Sequence, residues 1–555
     1  MLNTYKYSSI LILGLLSQIS VAQEVKNEQQ QSSEIEVIRP YKPILAEAVK
    51  LRRSPDLDNL QAYRAKFDYL LINRKLETNV DIQKLEAQKL AAVKEAELHP
   101  YFLRAGIGNL STLYAEGYFG TGKDEALQSA AYFKHINNSG QLLNQKESIS
   151  QVSVYGRSIG ENSTLNGRIN FEKHGLYFYG IDPSQANPNP EKQNFNFIEL
   201  EGDIVKRFSN AENAWNYAAK ANFYLWNDKF DAKENVLTLS AYFNRRFDNL
   251  NVGIAANTEI GTSKDLNYSF SNNLLRLNPH LKFQTNGVNI TAGINVVQEF
   301  GMNSKSRIFP AIHADFELIP DFLQIFAEVK GDVNRNSLKK LTDENPFLNR
   351  NIYIQNSVDK LTFSGGIKGT GGPGFGYKAK FYSKQINNFA LFQNSVATTH
   401  MFDVIYDNGT LKNIGLEGEI SVQVSDQLKW TGRVNFDDYK PETESFAYYK
   451  PQLSVNSNLL YQITPKIGFQ ANVVIQDDLK AKQWIGQPDP LTNNIDYQII
   501  TLKGFVDLGV GATYKINNKF GAFLNINNVL NTKYSKYLYY NVNGINAFGG
   551  ISYSF

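Results

Sequence analysis

The sequence ends in the stretch Ala547-Phe-Gly-Gly-Ile-Ser-Tyr-Ser-Phe555, which decides the fold. Successive side chains of a strand point to opposite faces, so Ile551, Tyr553 and Phe555 share one apolar face. A strand that ends this way fits poorly inside a soluble sandwich, whereas membrane barrels alternate lipid-facing and lumen-facing residues. We therefore interpret the stretch as the closing strand of a large antiparallel transmembrane β-barrel, an all-β fold.

The stretch before it supports the same interpretation. Every second residue from Phe520 to Ile526 is apolar and falls on one face. The spacing of Gly550, Tyr553 and Phe555 also resembles the C-terminal assembly signal of Gram-negative outer-membrane barrels. That resemblance implies recognition by the outer-membrane assembly machinery, and we predict this role for the three residues.

Composition excludes several classes of protein. The 555 residues include 57 Lys+Arg, 54 Asp+Glu and no cysteine. Near-neutral charge argues against nucleic acid as a partner, since that would require a clustered basic face. The lack of cysteine excludes disulfides, thiol catalysis and cysteine-based zinc sites. A mean hydropathy of -0.36 is too polar for a helical membrane protein but normal for a membrane barrel, whose strands are half apolar.

The first 98 residues differ from the rest. Lys6, the apolar run Ile10–Leu16 and the small-residue site Ser20-Val-Ala22 predict a signal peptide over residues 1–22. Residues 23–98 are charged and too few for a large core, and we expect a short, non-globular segment in the periplasm or the lumen. The barrel itself is predicted over residues 99–555.

A period of two runs through the barrel region, and it indicates half-apolar strands rather than helices. The clearest segments are Leu165–Glu172, Ile198–Ile204, Leu237–Phe243, Val252–Ile260, Val288–Val296, Leu323–Lys330, Ile414–Val424, Leu428–Phe436, Ile467–Ile475 and Leu502–Tyr514.

Short turns and long loops separate these segments alternately. The short turns are Gly160–Thr164, Phe247–Leu250, Ile319–Phe322 and Lys515–Lys519, and the long loops are Ile181–Gln193, Ser337–Ser357, Pro441–Gln452 and Ile485–Ile499. Outer-membrane barrels place short turns in the periplasm and long loops outside the cell, so both ends of the barrel should be periplasmic. Counting reversals gives about 22 strands.

No catalytic or metal-binding constellation emerges, and we predict neither an enzyme nor a cofactor. The histidines are scattered singly, at His99, His135, His174, His280, His313 and His400. Gly369–Gly376 is rich in glycine but lacks the Gly-Lys-Ser/Thr ending of a phosphate loop, and it falls where a periplasmic turn is needed.

Aromatic clusters and inward charges are the remaining candidates for function. The clusters Tyr177–Tyr179, Phe446–Tyr449 and Tyr534–Tyr540 fit either the aromatic girdle at the membrane interface or stacking on a ring-shaped ligand, and we favour the girdle. The charged residues predicted to face the lumen are of both signs, so they predict no preference for anions or cations. They are Glu199, Glu201, Asp203, Glu417, Glu419, Lys220, Arg168 and Lys503.

Three further motifs resemble the TonB-dependent receptors of the outer membrane. They are Phe523-Leu-Asn-Ile-Asn-Asn-Val-Leu-Asn-Thr-Lys-Tyr534, Asn345-Pro-Phe-Leu-Asn349 and Asn413-Ile-Gly-Leu-Glu-Gly-Glu419. The likeness covers residues 101–555 and implies a receptor or transporter barrel. Family members carry a globular plug domain that residues 24–98 are too short to form, and Asn546-Ala547 stands where a Gly-Arg pair is usual. Ile35-Glu-Val-Ile38 resembles a TonB-contacting box.

The sequence is compatible with two functions. The first is a receptor or transporter lacking a full plug, and the second is a structural barrel subunit of an outer-membrane assembly or secretion complex. Lipid is a partner in both, and a separate plug protein or complex subunits fit either, while the sequence decides neither the substrate nor a role for TonB. Because an empty barrel of this size would leave a wide aqueous hole, we expect part of Ile35–Leu98 to lie inside it.

Overall fold

The structure is a computed structural model that describes residues 101–121, 126–182, 190–207, 214–372, 374–425, 427–485 and 495–555. The predicted signal peptide, the segment 23–98 and the loop centres near Pro188 and Pro488 lie outside the described residues.

Twenty-two antiparallel strands form one sheet that closes on itself, as the sequence predicted. These strands are β1 (Tyr101–Gly108), β2 (Leu113–Gly120), β3 (Leu127–Asn138), β4 (Glu147–Ile159), β5 (Ser163–Tyr177), β6 (Lys192–Lys206), β7 (Trp215–Asn227), β8 (Lys233–Phe247), β9 (Leu250–Asp265), β10 (Tyr268–Thr285), β11 (Val288–Gly301), β12 (Lys305–Ile319), β13 (Leu323–Asn334), β14 (Ser357–Thr370), β15 (Phe375–Asn394), β16 (Phe402–Ser425), β17 (Leu428–Lys440), β18 (Leu453–Thr464), β19 (Ile467–Gln476), β22 (Phe505–Lys515), β23 (Phe520–Asn527) and β26 (Asn546–Ser554).

Three smaller elements lie in the loops. Two hairpins pair outside the barrel sheet, β20 (Leu479–Ile485) with β21 (Asp496–Leu502) and β24 (Ser535–Tyr537) with β25 (Tyr540–Asn541). One short helix, α1 (Leu338–Glu344), lies between β13 and β14. Within the described ranges, no helix is long and apolar enough to cross a bilayer.

The last strand closes the barrel. β26 pairs with β1 on one side and β23 on the other, with Tyr553 opposite Leu103 and Gly550 opposite Gly106. The Phe555 ring stacks on Tyr101 with centroids 5.1 Å apart. A Cβ at Gly550 would lie 1.9 Å from the carbonyl oxygen of Ala105, so the approach of the two strands requires glycine. The predicted closing strand is confirmed.

The strands alternate between an apolar outer face and a polar inner face. On β5, Leu165 and Ile169 point outward and are 55% and 53% exposed, while Asn166 and Arg168 between them face inward and bond to β6. Ile551 on β26 is likewise outward. An apolar band around a closed antiparallel sheet is the surface that meets lipid, and the protein is therefore an outer-membrane barrel.

The two ends of the barrel differ as the loop lengths predicted. The turns at residues 160–162, 248–249, 320–322 and 516–519 all lie at the end where Tyr101 and Phe555 meet. The glycine-rich segment after Thr370 forms another turn at this end. Helix α1 and the two hairpins occupy the opposite end, which we call the exterior end because outer-membrane barrels place their long loops outside the cell.

One lumen residue was placed wrongly by the pattern. Lys503 does not face the lumen: its side chain is 84% exposed and pairs with Asp478 at 3.2 Å. The alternating segment Leu502–Tyr514 belongs to two different strands. β21 ends at Leu502 and pairs only with β20, whereas the barrel strand β22 begins at Phe505. Lys503 lies at the break between them.

Orientation can be tested with single cysteines in this cysteine-free chain. Tyr353→Cys, in the exterior loop before β14, should react with an impermeant maleimide on intact cells, whereas Asn517→Cys, in the turn after β22, should react only after lysis. The parent chain serves as the blank. Labelling of Asn517→Cys but not Tyr353→Cys on intact cells would show the reverse orientation.

Removing the closing strand should prevent assembly. Deletion of Ile551–Phe555 leaves residues 102–105 of β1 and 520–522 of β23 without partners, and each unsatisfied backbone group in hydrocarbon costs several kcal/mol. We expect degradation in the periplasm, measured as loss of the protein from outer-membrane fractions. Ser554→Ala keeps every backbone pair and should accumulate normally. A deletion variant present at the normal level contradicts the role of β26 as the closing strand.

Candidate functional site

Paired charges line the middle of the lumen. Arg168 lies 3.5 Å from Glu199 and 3.4 Å from Glu201, and Lys220 lies 2.9 Å from Glu201. Also between β5 and β6, Asp203 accepts a hydrogen bond from Asn166. Further round the wall, Glu417 pairs with Lys380 and Glu419 with Arg433. These acids and bases face the lumen as predicted and neutralise one another locally.

Aromatic side chains fill the exterior mouth of the barrel. Phe347 stacks on Tyr540 with ring centroids 3.5 Å apart, and Tyr179 meets Tyr540 edge-on at 5.0 Å. Phe402 makes edge contacts with Tyr449 and Tyr537 at 5.5 and 5.4 Å. Pairs of this kind contribute about 0.5–1.5 kcal/mol beyond the area they bury. We name this set of packed loop residues the cap.

The cap corrects the girdle interpretation of the aromatic clusters. Tyr448 is 0% and Tyr540 2% exposed, and Phe178 is fully buried, so these rings do not contact lipid. Tyr534 is also buried, stacked on Phe505 at 3.6 Å. These rings are buried within the folded loops rather than at the membrane interface, whereas Phe446 of the second cluster is exposed.

The cap belongs to an apolar core that reaches across the opening. It includes Phe195 and Trp226 on β6 and β7 and Phe392 and Phe402 on β15 and β16. β6 and β16 are ten positions apart in a ring of 22 strands, so they lie on nearly opposite sides. This contiguous core therefore joins both walls across the exterior mouth.

Helix α1 is fixed to the wall at its N-terminus. Ser337 is the N-cap residue, and its Oγ accepts a hydrogen bond from the backbone N–H of Lys340. Glu234 on β8 accepts a second one from the N–H of Leu338 at 2.8 Å, and also binds the Tyr224 hydroxyl at 2.6 Å. A carboxylate is favoured there because the first N–H groups of a helix lack intrahelical partners.

Other loops hold the C-terminal end of α1. Lys450, from the loop after β17, pairs with Glu344, and the Tyr537 hydroxyl donates to the Glu344 carbonyl oxygen. Lys340 bonds to the Asn336 side chain at 3.1 Å. Burial lowers the pKa of the Lys340 ammonium, and Glu344 opposes that shift. α1 therefore joins the barrel wall to two separate loops.

Polar contacts connect two more loops to the one that carries Tyr537. The Tyr539 hydroxyl donates to Asp182 at 2.8 Å and accepts from Gln483 at 2.7 Å. Burial, with the nearby Asp182, raises the pKa of Tyr539 to about 12, so the phenol stays protonated. The motif Asn345–Asn349 follows α1 directly, and it is this motif that inserts Phe347 into the cap.

A chamber of about 560 Å³ lies beneath one side of the cap. Its wall comes from the exterior ends of β3 and β4 and the exterior halves of β5, β6 and β7, and its ceiling from α1 and the segment 536–543. The aromatic residues that line it are Tyr179, Phe195, Phe197, Tyr224, Trp226, Phe347, Tyr537 and Tyr540. The polar lining comprises Asn138, Gln145, Lys146, Glu147, Asn170, Glu172, His174, Glu199, Asn222, Lys339, Thr342, Asp343, Lys536 and Asn543.

Charge in the chamber is nearly balanced. Four carboxylates and three lysines line it. His174 lies 3.0 Å from Glu147, and Lys339 pairs with Asp343. Of the six histidines, His99 lies outside the described ranges, and the part of the chain that is described contains no group of three or more His, Cys, Asp or Glu placed to hold a metal ion.

Fold and chamber together define a large outer-membrane barrel with a capped lumen, and its solved structural neighbours have the same fold. The FrpB iron transporter of Neisseria meningitidis superposes with a TM-score of 0.61 at 11% identity, over 82% of each chain. The pyoverdine receptor FpvA of Pseudomonas aeruginosa PAO1 gives 0.60 at 13%, over 83% of this chain and 79% of that one. The siderophore receptor PiuA of Acinetobacter baumannii gives 0.55 at 12%, over 83% and 82%.

Similarity to known proteins at the level of sequence covers a smaller part of the chain. The ferric enterobactin receptor of Pseudomonas aeruginosa is 25% identical over 121 residues, which are 21% of this chain and 16% of that receptor. No family model matches. The fold implied by the resemblance to TonB-dependent receptors is confirmed, and these relatives are named as receptors or transporters.

The cap predicts a different result for each of two tyrosines. Tyr540→Ala removes a buried ring at the centre, a truncation that costs about 3–5 kcal/mol for buried aromatics, so the loops should open while the barrel stays folded. We expect faster cleavage of the exterior loops by protease added to intact cells. Tyr353→Ala removes an exposed ring from the same loop as Phe347 and should leave cleavage unchanged. Equal protection of both variants contradicts the cap.

Proposed function

We propose that this barrel is an outer-membrane receptor of the TonB-dependent type, which captures a small molecule in the capped chamber and admits it to the periplasm. The chamber carries this proposal: an aromatic and polar cavity within the 300–1,000 Å³ range of ligand sites lies below loops at the exterior end. The solved neighbours, a siderophore receptor, a pyoverdine receptor and an iron transporter, support it. The alternative, a structural subunit, receives no support from them.

Ligand entry in this proposal requires local opening of the cap. Loops held by a few aromatic pairs and hydrogen bonds open at a lower free energy than the barrel unfolds, and lids of this kind control access in many proteins. α1 is the ceiling element nearest the chamber, and its ties to Glu234, Lys450 and Tyr537 are individually modest. Release of those ties would uncover the chamber from outside.

We also propose that residues 23–98 obstruct the periplasmic half of the lumen. The polar wall around Arg168 and Glu201 offers partners for a charged segment, and the cap covers only the exterior end. Deleting Ile35–Leu98 while keeping the signal peptide should raise single-channel conductance in planar bilayers and sensitise cells to large antibiotics. Conductance equal to that of the intact protein would mean that other elements or a partner close the pore.

Uptake can be tested without knowing the ligand. Cells that express the protein should deplete at least one small molecule from a complex medium faster than deletion cells, measured by mass spectrometry of the spent medium. Thr342→Trp, which fills the chamber from α1, should abolish this depletion, whereas Tyr353→Trp, exposed on the same loop, should preserve it.

The structural alternative predicts a different outcome of the same experiment. A barrel that serves as a subunit should show no depletion, and it should purify from mild detergent with a stoichiometric set of partners. That combination would overturn the receptor proposal.

A further inference from the structure

Aromatic side chains line the chamber on two sides. Phe195 and Trp226 stack at 5.7 Å on the barrel wall, and both are buried there. Phe347 and Tyr540 stack at 3.5 Å on the loop side. Aromatic faces pack well against the C–H faces of ring-shaped ligands, and rigid rings lose little conformational entropy when they do so.

Amide groups between these surfaces are held in place by neighbours. Asn222 donates to Glu199 at 2.8 Å, Asn170 accepts from Ser153 at 2.6 Å, and Asn543 donates to Asn138 at 3.0 Å. The other polar atom of Asn543 is buried and has no hydrogen-bond partner among the described residues. Amides, which donate and accept, and carboxylates, which accept, together suit hydroxyl groups, which do both.

The charge of the lining decides between ligand classes. A polyanionic iron chelate would need an excess of cations, because a buried charge without a partner is costly. The chamber instead has four carboxylates against three lysines, and His174 and Lys339 already pair with Glu147 and Asp343. A neutral ligand rich in hydroxyl groups meets no such penalty.

We infer that the chamber binds a neutral, hydroxyl-rich ring compound, a short oligosaccharide of about two or three sugar rings for a cavity of this size. This inference rests on the proposed receptor function and specifies its substrate class. In this inference the sugar rings pack against Trp226 and Phe347. Their hydroxyl groups form hydrogen bonds with Asn222, Asn170 and Asn543.

The test uses the full chain in lipid nanodiscs, since sugar-headed detergents would compete. Maltotriose, cellotriose, laminaritriose and mannotriose are titrated by calorimetry, with an anionic ferric tris-catecholate chelate as the counter-probe. At least one trisaccharide should bind more tightly than the chelate. Asn222→Ala should weaken that binding about tenfold, the loss typical of one good hydrogen bond.

A fluorescence signal locates the binding. Trp226 emission should change on titration, and Trp226→Phe should lose that change, whereas Trp215→Phe, at an exposed position near the other end of β7, should keep it. If Asn222→Ala fails to fold, as judged by its mobility in unheated SDS gels, Asn170→Ala replaces it with the same expected weakening.

The outcomes separate this inference from the receptor function. Failure of all four trisaccharides to bind, tighter binding of the chelate, or binding unaffected by the asparagine variants overturns the oligosaccharide inference. The depletion experiment with Thr342→Trp still decides whether the barrel is a receptor. If depletion occurs but the sugars do not bind, uptake stands with a different substrate class; if depletion is absent as well, both proposals fail.

Discussion

Backbone hydrogen bonding in hydrocarbon is the constraint on which the rest of this structure depends. The bilayer core offers no water to an unpaired N–H or C=O group, so a sheet can span it only when it has no free edge. Here the pairing of β26 with β1 removes the edge, and glycines at positions 106 and 550 let the two strands approach. In the closed barrel, Tyr101 and Phe555 lie at one end, and the long loops lie at the other.

Closure with 22 strands creates a second requirement, because a barrel of that size has an interior too wide for its own side chains to fill. The inner wall is lined with ion pairs such as Arg168–Glu201. These pairs balance the charge of the wall and leave the lumen open. The exterior mouth is closed differently, by aromatic loop residues that pack across the diameter. Helix α1 connects these two regions, since Glu234 binds one end of it and Tyr537 the other.

The barrel was predictable from sequence because its signal is local. Each of its features depends on residues that are close together in the sequence. These features are the alternation along each strand, the short turns and the pattern at Ile551–Phe555. The cap was not predictable in this way: Phe347 and Tyr540 are far apart in sequence, and rings near strand ends suit an interfacial girdle as well as a loop core. The aromatic density of the exterior loops, read together with the Asn345–Asn349 motif, was the available signal. Lys503 was misplaced because an alternating pattern does not show where one strand ends and another begins.

Cross-linking across the mouth tests most directly whether the loops close the barrel. Glu191→Cys combined with Arg350→Cys places two thiols in a chain that has none, on two loops whose side chains at these positions form an ion pair at 2.7 Å, and it leaves the rings of the cap in place. A short, reducible thiol cross-linker added to intact cells should join them, seen as two protease fragments that separate only after reduction. The pair Glu191→Cys with Tyr353→Cys, from the same two loops but without an ion pair between them, should stay unlinked. Free reaction of both thiols of the first pair with maleimide, and no cross-link, would contradict the capped barrel.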